Sequence, residues 1–170
     1  MALIDMHEKI SSAIDNQEFP VGIFIDLSKA FDTINHSILL EKLSFYGIRG
    51  ITLEWFRSYF QFRQQYVFLH NVASSLLPIT CGVPQGSILG PLLFILYIND
   101  IINCTDTLEL ILFADDTNMF YSNRDFYELE RIINIELLKL SVWFRANKLS
   151  LNAVKSNYIL FGYKKNSQST

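Results

Sequence analysis

The sequence predicts an α+β fold in which helices pack on one face of a mostly antiparallel sheet. Apolar runs typical of central strands alternate along the chain with segments of helical periodicity. No repeat, low-complexity tract or linker separates them, and 170 residues with 50% hydrophobic content suffice for one sizeable core. Layers of this kind form when helices and a sheet bury their apolar faces against each other.

Each element follows from a local pattern. The helix that ends near Tyr46 precedes Gly47, a usual position for a C-terminal glycine, and Thr52 is placed to cap the next helix. Alternating apolar segments bounded by turn residues indicate the short strands. In chain order the sequence predicts a helix at 1–17, a strand at 21–25, a helix at 34–46, a helix from Thr52, a hairpin of strands 66–70 and 76–81 around a turn at 71–75, a loop at 82–87, a helix from 88 towards 99, a hairpin at 108–121, a helix at 125–148, and short strands near 149–151 and 157–161.

The loop at 82–87 consists of residues that interrupt regular structure, and Ser87 can cap the apolar helix that follows. Pro91 suits the first turn of that helix. The apolar stretch 88–98 is shorter than the roughly 18 to 20 residues that span a bilayer, so we expect a buried helix and no membrane partner. The charged N-terminus excludes a signal peptide, and we expect an intracellular protein.

The long helix at 125–148 is amphipathic. Its apolar residues recur at intervals of three and four, which predicts one buried stripe. The stripe comprises Leu129, Ile132, Ile133, Leu137, Leu140 and Phe144.

The net charge limits the classes of ligand that this chain binds by itself. With 14 basic against 17 acidic residues the formal charge is −3 and the isoelectric point is near 5.6. A domain that grips nucleic acid unaided is normally basic. If the ligand is nucleic acid, we therefore expect the basic surface to lie elsewhere.

Three acidic residues follow apolar strands. Asp115 and Asp116 stand at the tip of the hairpin at 108–121, and Asp26 ends the strand at 21–25. Converging carboxylates without cationic partners repel each other, and a divalent cation with hard oxygen ligands relieves the repulsion. By themselves the adjacent acids favour a solvated turn, and Asp26 is equally compatible with a helix cap.

Four ordered motifs resemble those of reverse transcriptases from non-LTR, LINE- and jockey-like retrotransposons. Residues 24–36, FIDLSKAFDTINH, are similar to the first catalytic motif of that family, and PQGSILGPLLF at 84–94 is similar to the second. FADD at 113–116 resembles the third, and LNAVKS at 151–156 the fourth. The order and number of matches make this signal far more specific than the acid pair alone.

The resemblance implies a polymerase palm with a two-metal site. Asp26, Asp115 and Asp116 would hold two Mg²⁺ ions, with Mn²⁺ as a substitute, and Lys155 would stabilise or protonate the leaving pyrophosphate. A palm assembles carboxylates for metal and needs no nucleophilic side chain.

The resemblance also assigns residues that would contact the nucleotide. Phe31 would crowd a 2′-hydroxyl and so select deoxynucleotides, while Gln85 and Gly86 would lie against the incoming nucleotide and the template. Without the resemblance, Phe31 is a core aromatic and residues 84–86 form an ordinary turn. RNA polymerases and nucleotide cyclases have related palms, but Phe31 and the Gln85-Gly86 motif argue against them.

We therefore expect residues 1–170 to form a single reverse transcriptase domain fragment with its palm core at about 20–162. Most of the fingers, the thumb and an endonuclease region are not recognisable in the sequence. The resemblance implies an RNA template, a DNA primer and dNTPs as partners, and a nuclear location. A truncated non-catalytic remnant or interaction module with the same fold is the alternative. In either case we expect little or no primer extension by this chain alone.

Overall fold

The computed structural model describes residues 2–113 and 116–162. Its α-helices are α1 Ala2–Asp15, α2 His36–Phe45, α3 Ile51–Phe60, α4 Leu89–Ile98 and α5 Phe126–Ala146. Its strands are β1 Phe19–Ile25, β2 Gln64–Gln65, β3 Phe68–Leu69, β4 Val72–Ala73, β5 Leu77–Pro78, β6 Glu109–Phe113, β7 Asp116–Asn123 and β8 Asn157–Leu160. Short 3-10 helices cover Ala30–Asp32 and Asn99–Cys104.

The described residues form two compact units. The first contains residues 2–28, 100–146 and 150–162, and the second contains Lys29–Asn99 and Asn147–Leu149. Within the described chain, none of the helices combines the length and the apolar character needed to span a membrane.

The first unit is built on a four-stranded sheet with the order β6-β7-β1-β8, in which every neighbouring pair is antiparallel. Between β1 and β7, Ile25 pairs with Thr117. Between β6 and β7, Phe113 pairs with Asp116, so the two strands form the tight hairpin that the sequence predicts. The α+β class with an antiparallel sheet is confirmed.

The sequence also predicted that the helices pack on one face of the sheet, and this detail differs from the structure. A Cβ atom built on Gly22 would lie 2.7 Å from Met6 Cε, so α1 covers the Gly22 face of β1. Phe19 lies on the opposite face because side chains alternate, and its ring is 5.7 Å from that of Phe126 at the start of α5. The physical reason is the continuous apolar run of β1, in which Val21 and Ile23 are buried as well as Gly22. Such a strand needs cover on both faces.

The second unit packs α2, α3 and α4 around an apolar core. Leu39, Leu43 and Leu93 have no solvent exposure, and the equally buried Tyr97 donates a hydrogen bond from its hydroxyl to the Asn147 carbonyl at 2.6 Å. The backbone N–H of Asn35 donates to the same hydroxyl at 3.4 Å. A buried tyrosine with a satisfied hydroxyl thus ties the start of α2 and the segment after α5 to α4.

The predicted helix boundaries agree with the structure except at α3. That helix begins at Ile51, after Gly50 with φ 60°, so Thr52 is not its cap. Ser87 does cap α4, because its Oγ accepts a hydrogen bond from the Gly90 N–H at 3.0 Å. Pro91 lies in the first turn of α4, as expected.

The hairpin between α3 and the loop at 82–87 differs from the prediction. It has two short ladders, β2 with β5 and β3 with β4, and its turn is His70-Asn71, both with positive φ. The sequence prediction placed the turn at 71–75 because Ser74 and Ser75 are common turn residues. In the structure Ser74 instead pairs across the hairpin, since its N–H donates to the Val67 carbonyl at 2.8 Å.

Candidate active site

Two of the predicted acidic residues lie at the same end of the neighbouring strands β1 and β7. Asp26 follows Ile25, the last residue of β1, and Asp116 is the first residue of β7. Because Ile25 pairs with Thr117, one further step of the same register brings Asp26 opposite Asp116. Asp26 is half-buried and Asp116 is exposed. Asp115, the third predicted acid, lies outside the described residues.

The register also determines which sheet face carries these carboxylates. Side chains alternate along a strand, so Asp26 has the same parity as Gly22 and Phe24. Asp116 has the parity of their partners Asn118 and Phe120. Both acids therefore belong to one face, at the end where β1 and β7 meet the tip of the β6–β7 hairpin.

The turn at 152–156 is bonded to the backbone of Asp26. The Asp26 N–H donates to Ser156 Oγ at 3.2 Å, and the Asp26 carbonyl accepts from the Asn152 N–H at 2.9 Å. Within the turn, the N–H groups of Lys155 and Ser156 donate to the Asn152 carbonyl at 3.1 and 2.8 Å. The turn thus holds the exposed Lys155 next in sequence to a residue that contacts Asp26 directly.

The second unit holds Phe31, Gln85 and Gly86. The Val83 N–H donates to the Phe31 carbonyl at 2.9 Å, so the first and second motifs are hydrogen-bonded to each other. The half-buried Phe31 ring lies against that of the buried Phe94, with 4.8 Å between centroids.

Gln85 and Gly86 are exposed at the surface of the loop at 82–87. The Gln85 Nε2 donates to Asp32 Oδ1 at 2.8 Å. Gly86 has φ +79°, and a Cβ atom there would have no atom within 4 Å. The space beside Gly86 is therefore open, as close approach of a ligand requires.

Sequence reasoning missed three residues that organise these sites. Asp32, Ser156 and Asn152 lie inside the quoted motifs, but their contacts join segments far apart in the chain. The signal available was their position beside the predicted site residues. His36, the first residue of α2, hydrogen-bonds through Nε2 to the Gly82 carbonyl at 2.7 Å.

The carboxylates suit a hard divalent cation. Among the described residues, no Lys, Arg or His side chain forms an ion pair with Asp26 or Asp116. Carboxylate oxygens are the ligands that Mg²⁺ and Mn²⁺ prefer. No group of three metal-ligating side chains occurs within the described residues, and the third predicted ligand, Asp115, is not among them.

The antiparallel sheet of the first unit, and the glycine-containing loop before an apolar helix in the second, are consistent with the polymerase-palm class of proteins. The family described as reverse transcriptase (RNA-dependent DNA polymerase) matches residues 3–169. The chain belongs to this family, whose members generally use divalent metal ions.

The relatives confirm the resemblance to non-LTR retrotransposon proteins. The chain is 31% identical over 165 residues to the probable RNA-directed DNA polymerase from transposon X-element of Drosophila melanogaster. It is 29% identical over 156 residues to the RNA-directed DNA polymerase from mobile element jockey of the same species. These matches cover 93% and 88% of this chain but 18% and 17% of the relatives, so the chain spans less than a fifth of their length.

Solved structures support the fold. Telomerase from Candida tropicalis in complex with a TWJ fragment of telomeric RNA is 14% identical with a TM-score of 0.68, over 99% of this chain and 30% of that one. Apo telomerase from the same species, truncated from its C-terminal domain, is 13% identical with a TM-score of 0.55, over 99% and 36%. At these identities the likeness concerns the fold alone, which is that of a palm.

Proposed function

We propose that this chain carries the catalytic core of an RNA-directed DNA polymerase that acts in retrotransposition. It would add dNTPs to the 3′-hydroxyl of a DNA primer on an RNA template. The main support is the strand register that brings Asp26 opposite Asp116, with the turn at 152–156 bonded to Asp26. Membership of the reverse transcriptase family supports the same assignment.

Asp26, Asp115 and Asp116 would hold two Mg²⁺ ions, with Mn²⁺ as a substitute. When bound, the ions would activate the primer hydroxyl and neutralise the charge of the triphosphate and the leaving pyrophosphate. The donor set supports this assignment, since the carboxylates of Asp26 and Asp116 form no ion pair with a described basic residue.

The contribution of the chain itself is preorganisation of Asp26. Phosphoryl transfer depends mainly on alignment and charge neutralisation, so a ligand that shifts by about one ångström is costly. The strand that ends at Ile25 pairs with β7, and the next residue, Asp26, bonds through its backbone to Ser156 and Asn152. These backbone hydrogen bonds and the pairing of the preceding residue hold the backbone of Asp26 in place.

Lys155 would bind the leaving pyrophosphate or donate a proton to it. An ammonium group is a compact charge with three donors, and it suits a phosphate that develops negative charge. Lys155 is exposed, and its backbone is held in the turn that bonds to Asp26. A mobile side chain on a fixed backbone can reach a phosphate without moving Asp26.

In the second unit, Phe31 would exclude ribonucleotides, and Gln85 with Gly86 would contact the nucleotide and template. Phe31 packs on Phe94, which supports its ring from one side and limits its movement. The positive φ and open surroundings of Gly86 allow a ligand to approach the backbone. In the longer proteins of this family, further regions such as fingers, thumb and endonuclease would supply the basic surface that this acidic chain lacks.

Primer extension on an RNA template with Mg²⁺ and dNTPs tests this function. Because the chain has a net charge of −3, it should bind nucleic acid weakly, and the assay needs low salt and excess protein. We expect slow dNTP incorporation that Asp115→Asn reduces by about a hundredfold or more. The exposed Asp106, replaced by Asn, is the matched control and should leave incorporation unchanged. Equal incorporation by wild type and Asp115→Asn would refute the proposal, and none by wild type would favour a non-catalytic module.

A further inference from the structure

Asp32 and Gln85 form a direct side-chain contact within the second unit. Asp32 is the last residue of the 3-10 helix Ala30–Asp32, and Gln85 belongs to the loop at 82–87. The Gln85 Nε2 donates to Asp32 Oδ1 at 2.8 Å, although 53 positions separate the two residues. Both side chains are exposed, so a ligand can reach them.

The chemistry of the two groups determines how the Gln85 amide is turned. An ionised carboxylate only accepts hydrogen bonds, whereas a glutamine amide has a donor end and an acceptor end. The NH₂ group of Gln85 must therefore face Asp32. Its Oε1 is then directed away from the carboxylate and can accept a hydrogen bond from a ligand.

The backbones on either side of this contact are bonded together. The Gly82 N–H donates to the Ile34 carbonyl at 2.8 Å, and the Val83 N–H donates to the Phe31 carbonyl at 2.9 Å. His36 donates from Nε2 to the Gly82 carbonyl, and its ring stacks on Phe60 with 4.5 Å between centroids. Because both segments are held in place, ordering the Asp32–Gln85 contact costs little conformational entropy.

We propose that Asp32 is a positioning residue that turns the Gln85 amide so that Oε1 accepts a hydrogen bond from a donor group of the bound nucleotide. This inference rests on the proposed function, in which Gln85 contacts the nucleotide. Asp32 itself touches no substrate. Its role is to exclude the flipped amide, which would present NH₂ to the same ligand group.

Alanine variants test whether the two residues act as one unit. The probe is dNTP binding with Mg²⁺, measured with a fluorescent dATP analogue on the whole chain. We expect Asp32→Ala and Gln85→Ala each to raise the Kd by about three- to tenfold, the usual effect of one lost hydrogen bond. In the double variant the two effects should not add, because each change removes the same interaction. Glu41→Ala, an exposed acid on α2, is the control and should bind as wild type does.

A reciprocal exchange separates amide orientation from general structural damage. Gln85→Glu sets two carboxylates against each other, and we expect the Kd to rise by about tenfold or more. Adding Asp32→Asn lets the Asn NH₂ donate to the new carboxylate at position 85, which still presents an oxygen to the ligand. The exchanged pair should therefore recover binding to within about twofold of wild type. No recovery relative to Gln85→Glu alone would overturn the inference.

The hydrogen bond between Asp32 and Gln85 can be detected by NMR without any ligand. In ¹H–¹⁵N spectra, the side-chain NH₂ signals of Gln85 should move towards the values of a free amide in Asp32→Ala and stay in place in Glu41→Ala. If Gln85→Ala weakens dNTP binding and Asp32→Ala does not, the inference fails while the proposed function stands. If the spectra show the contact and neither variant affects binding, the proposed role of Gln85 fails, and the inference with it.

Discussion

At the scale of single residues, Gly82 occupies a position that no side chain fits. Its φ is +83°, and a Cβ atom there would lie 2.7 Å from the Asp32 carbonyl oxygen. The close approach allows the Gly82 and Val83 N–H groups to bond to the carbonyls of Ile34 and Phe31. The glycine therefore joins the two motifs that carry Phe31 and Gln85.

Gly82→Ala should destabilise the protein more than a matched glycine change. Gly47 has a similar φ of +93°, but a Cβ atom built on it would have no atom within 4 Å. Gly47→Ala should cost about 1 to 2 kcal/mol, the conformational penalty alone. Gly82→Ala should cost about 1 to 3 kcal/mol more, because the backbone of Asp32 has to move. Urea unfolding measures both values, and equal costs would contradict the close approach.

Glu136 is a buried carboxylate on α5, 3% exposed, and its Oε1 accepts a hydrogen bond from Lys139 Nζ at 2.7 Å. Burial raises the pKa of Glu136, but the hydrogen bond and the positive charge of Lys139, together with the polar side chains of Thr105 and Thr107, lower it more, and the net pKa lies below the usual glutamate value. A lowered pKa in the folded state means that ionised Glu136 stabilises the fold above the ordinary pKa, about 4.3. This stabilisation is lost as the pH falls through the lower folded value.

Replacing Glu136 should therefore make the free energy of unfolding less dependent on pH in the acid range. We expect the free energy of unfolding of wild type to fall more steeply between about pH 5 and pH 3 than that of Glu136→Gln. Glu130→Gln changes an exposed glutamate on the same helix and should keep the wild-type slope. Parallel curves for wild type and Glu136→Gln would show that the buried ion pair does not stabilise the ionised form.

For single residues, the sequence identified the candidates that belong to a recognisable motif. It missed the residues whose importance depends on a contact with a distant part of the chain. Asp26 and Asp116 became candidate site residues because each follows an apolar strand in the sequence, and their role stays a prediction. The role of Asp32 depends on a hydrogen bond to a loop 53 positions away, and no local pattern encodes such a contact. Glu136 lies within the apolar stripe of α5 and is buried. From the sequence periodicity alone it is only a polar residue that interrupts this stripe, and its burial is not predicted.

At the scale of elements, the turn at 152–156 behaves as an extension of the sheet at the end of β1. Ser156 Oγ and the Asn152 N–H take the two backbone hydrogen bonds of Asp26 that a continuing strand would take. Beyond it, Leu27 pairs with Leu151 in an isolated antiparallel bridge. Asp26, a proposed metal ligand, is thus supported by an element distant in sequence.

Ser156→Ala should remove one of the hydrogen bonds that hold the Asp26 backbone, without removing any proposed catalytic group. One hydrogen bond to a half-buried N–H is lost, at a cost of about 0.5 to 1.5 kcal/mol in unfolding free energy. Hydrogen exchange should show faster exchange of the Asp26 amide and of the turn. Ser150→Ala is the control, because Ser150 uses only its backbone carbonyl in this region. Unchanged protection of Asp26 in Ser156→Ala would mean that the Oγ contact is dispensable.

The long helix α5 was predictable because it carries a periodic apolar pattern over many residues, and the central strand β1 because it is a continuous apolar run. The hairpin between α3 and the loop at 82–87 was not, since its ladders are two residues long and its turn depends on His70 and Asn71 adopting positive φ. The covering of β1 by helices on both faces was also missed. The apolar run of that strand contained the signal, because a strand buried on both faces lacks alternation.

At the scale of the whole molecule, the chain divides its proposed site residues between two compact units. Asp26, Asp116 and Lys155 belong to the first, and Phe31, Gln85 and Gly86 to the second. Each unit has its own buried core and its own organising hydrogen bonds. The similarity to reverse transcriptases could name all of these residues, but it could not show that Ser156 and Asp32 hold their neighbours in place.

The net charge of the whole chain agrees with the proposal that other regions of the longer relatives supply the basic surface for nucleic acid. A net charge of −3 is unfavourable for gripping a phosphate backbone but compatible with a cluster of carboxylates that binds metal. The proposed metal site is therefore the part of this account that can be tested without nucleic acid.

Titration with Mn²⁺, followed by the loss of the free-ion electron paramagnetic resonance signal, tests the central claim most directly. The comparison is between wild type, the Asp26→Asn/Asp115→Asn double variant and the control Asp106→Asn. We predict that wild type and Asp106→Asn bind Mn²⁺ equally and gain melting temperature with it, whereas the double variant loses both the binding and the gain. Equal Mn²⁺ binding and equal melting shifts in wild type and the double variant would contradict a metal site at Asp26 and Asp115.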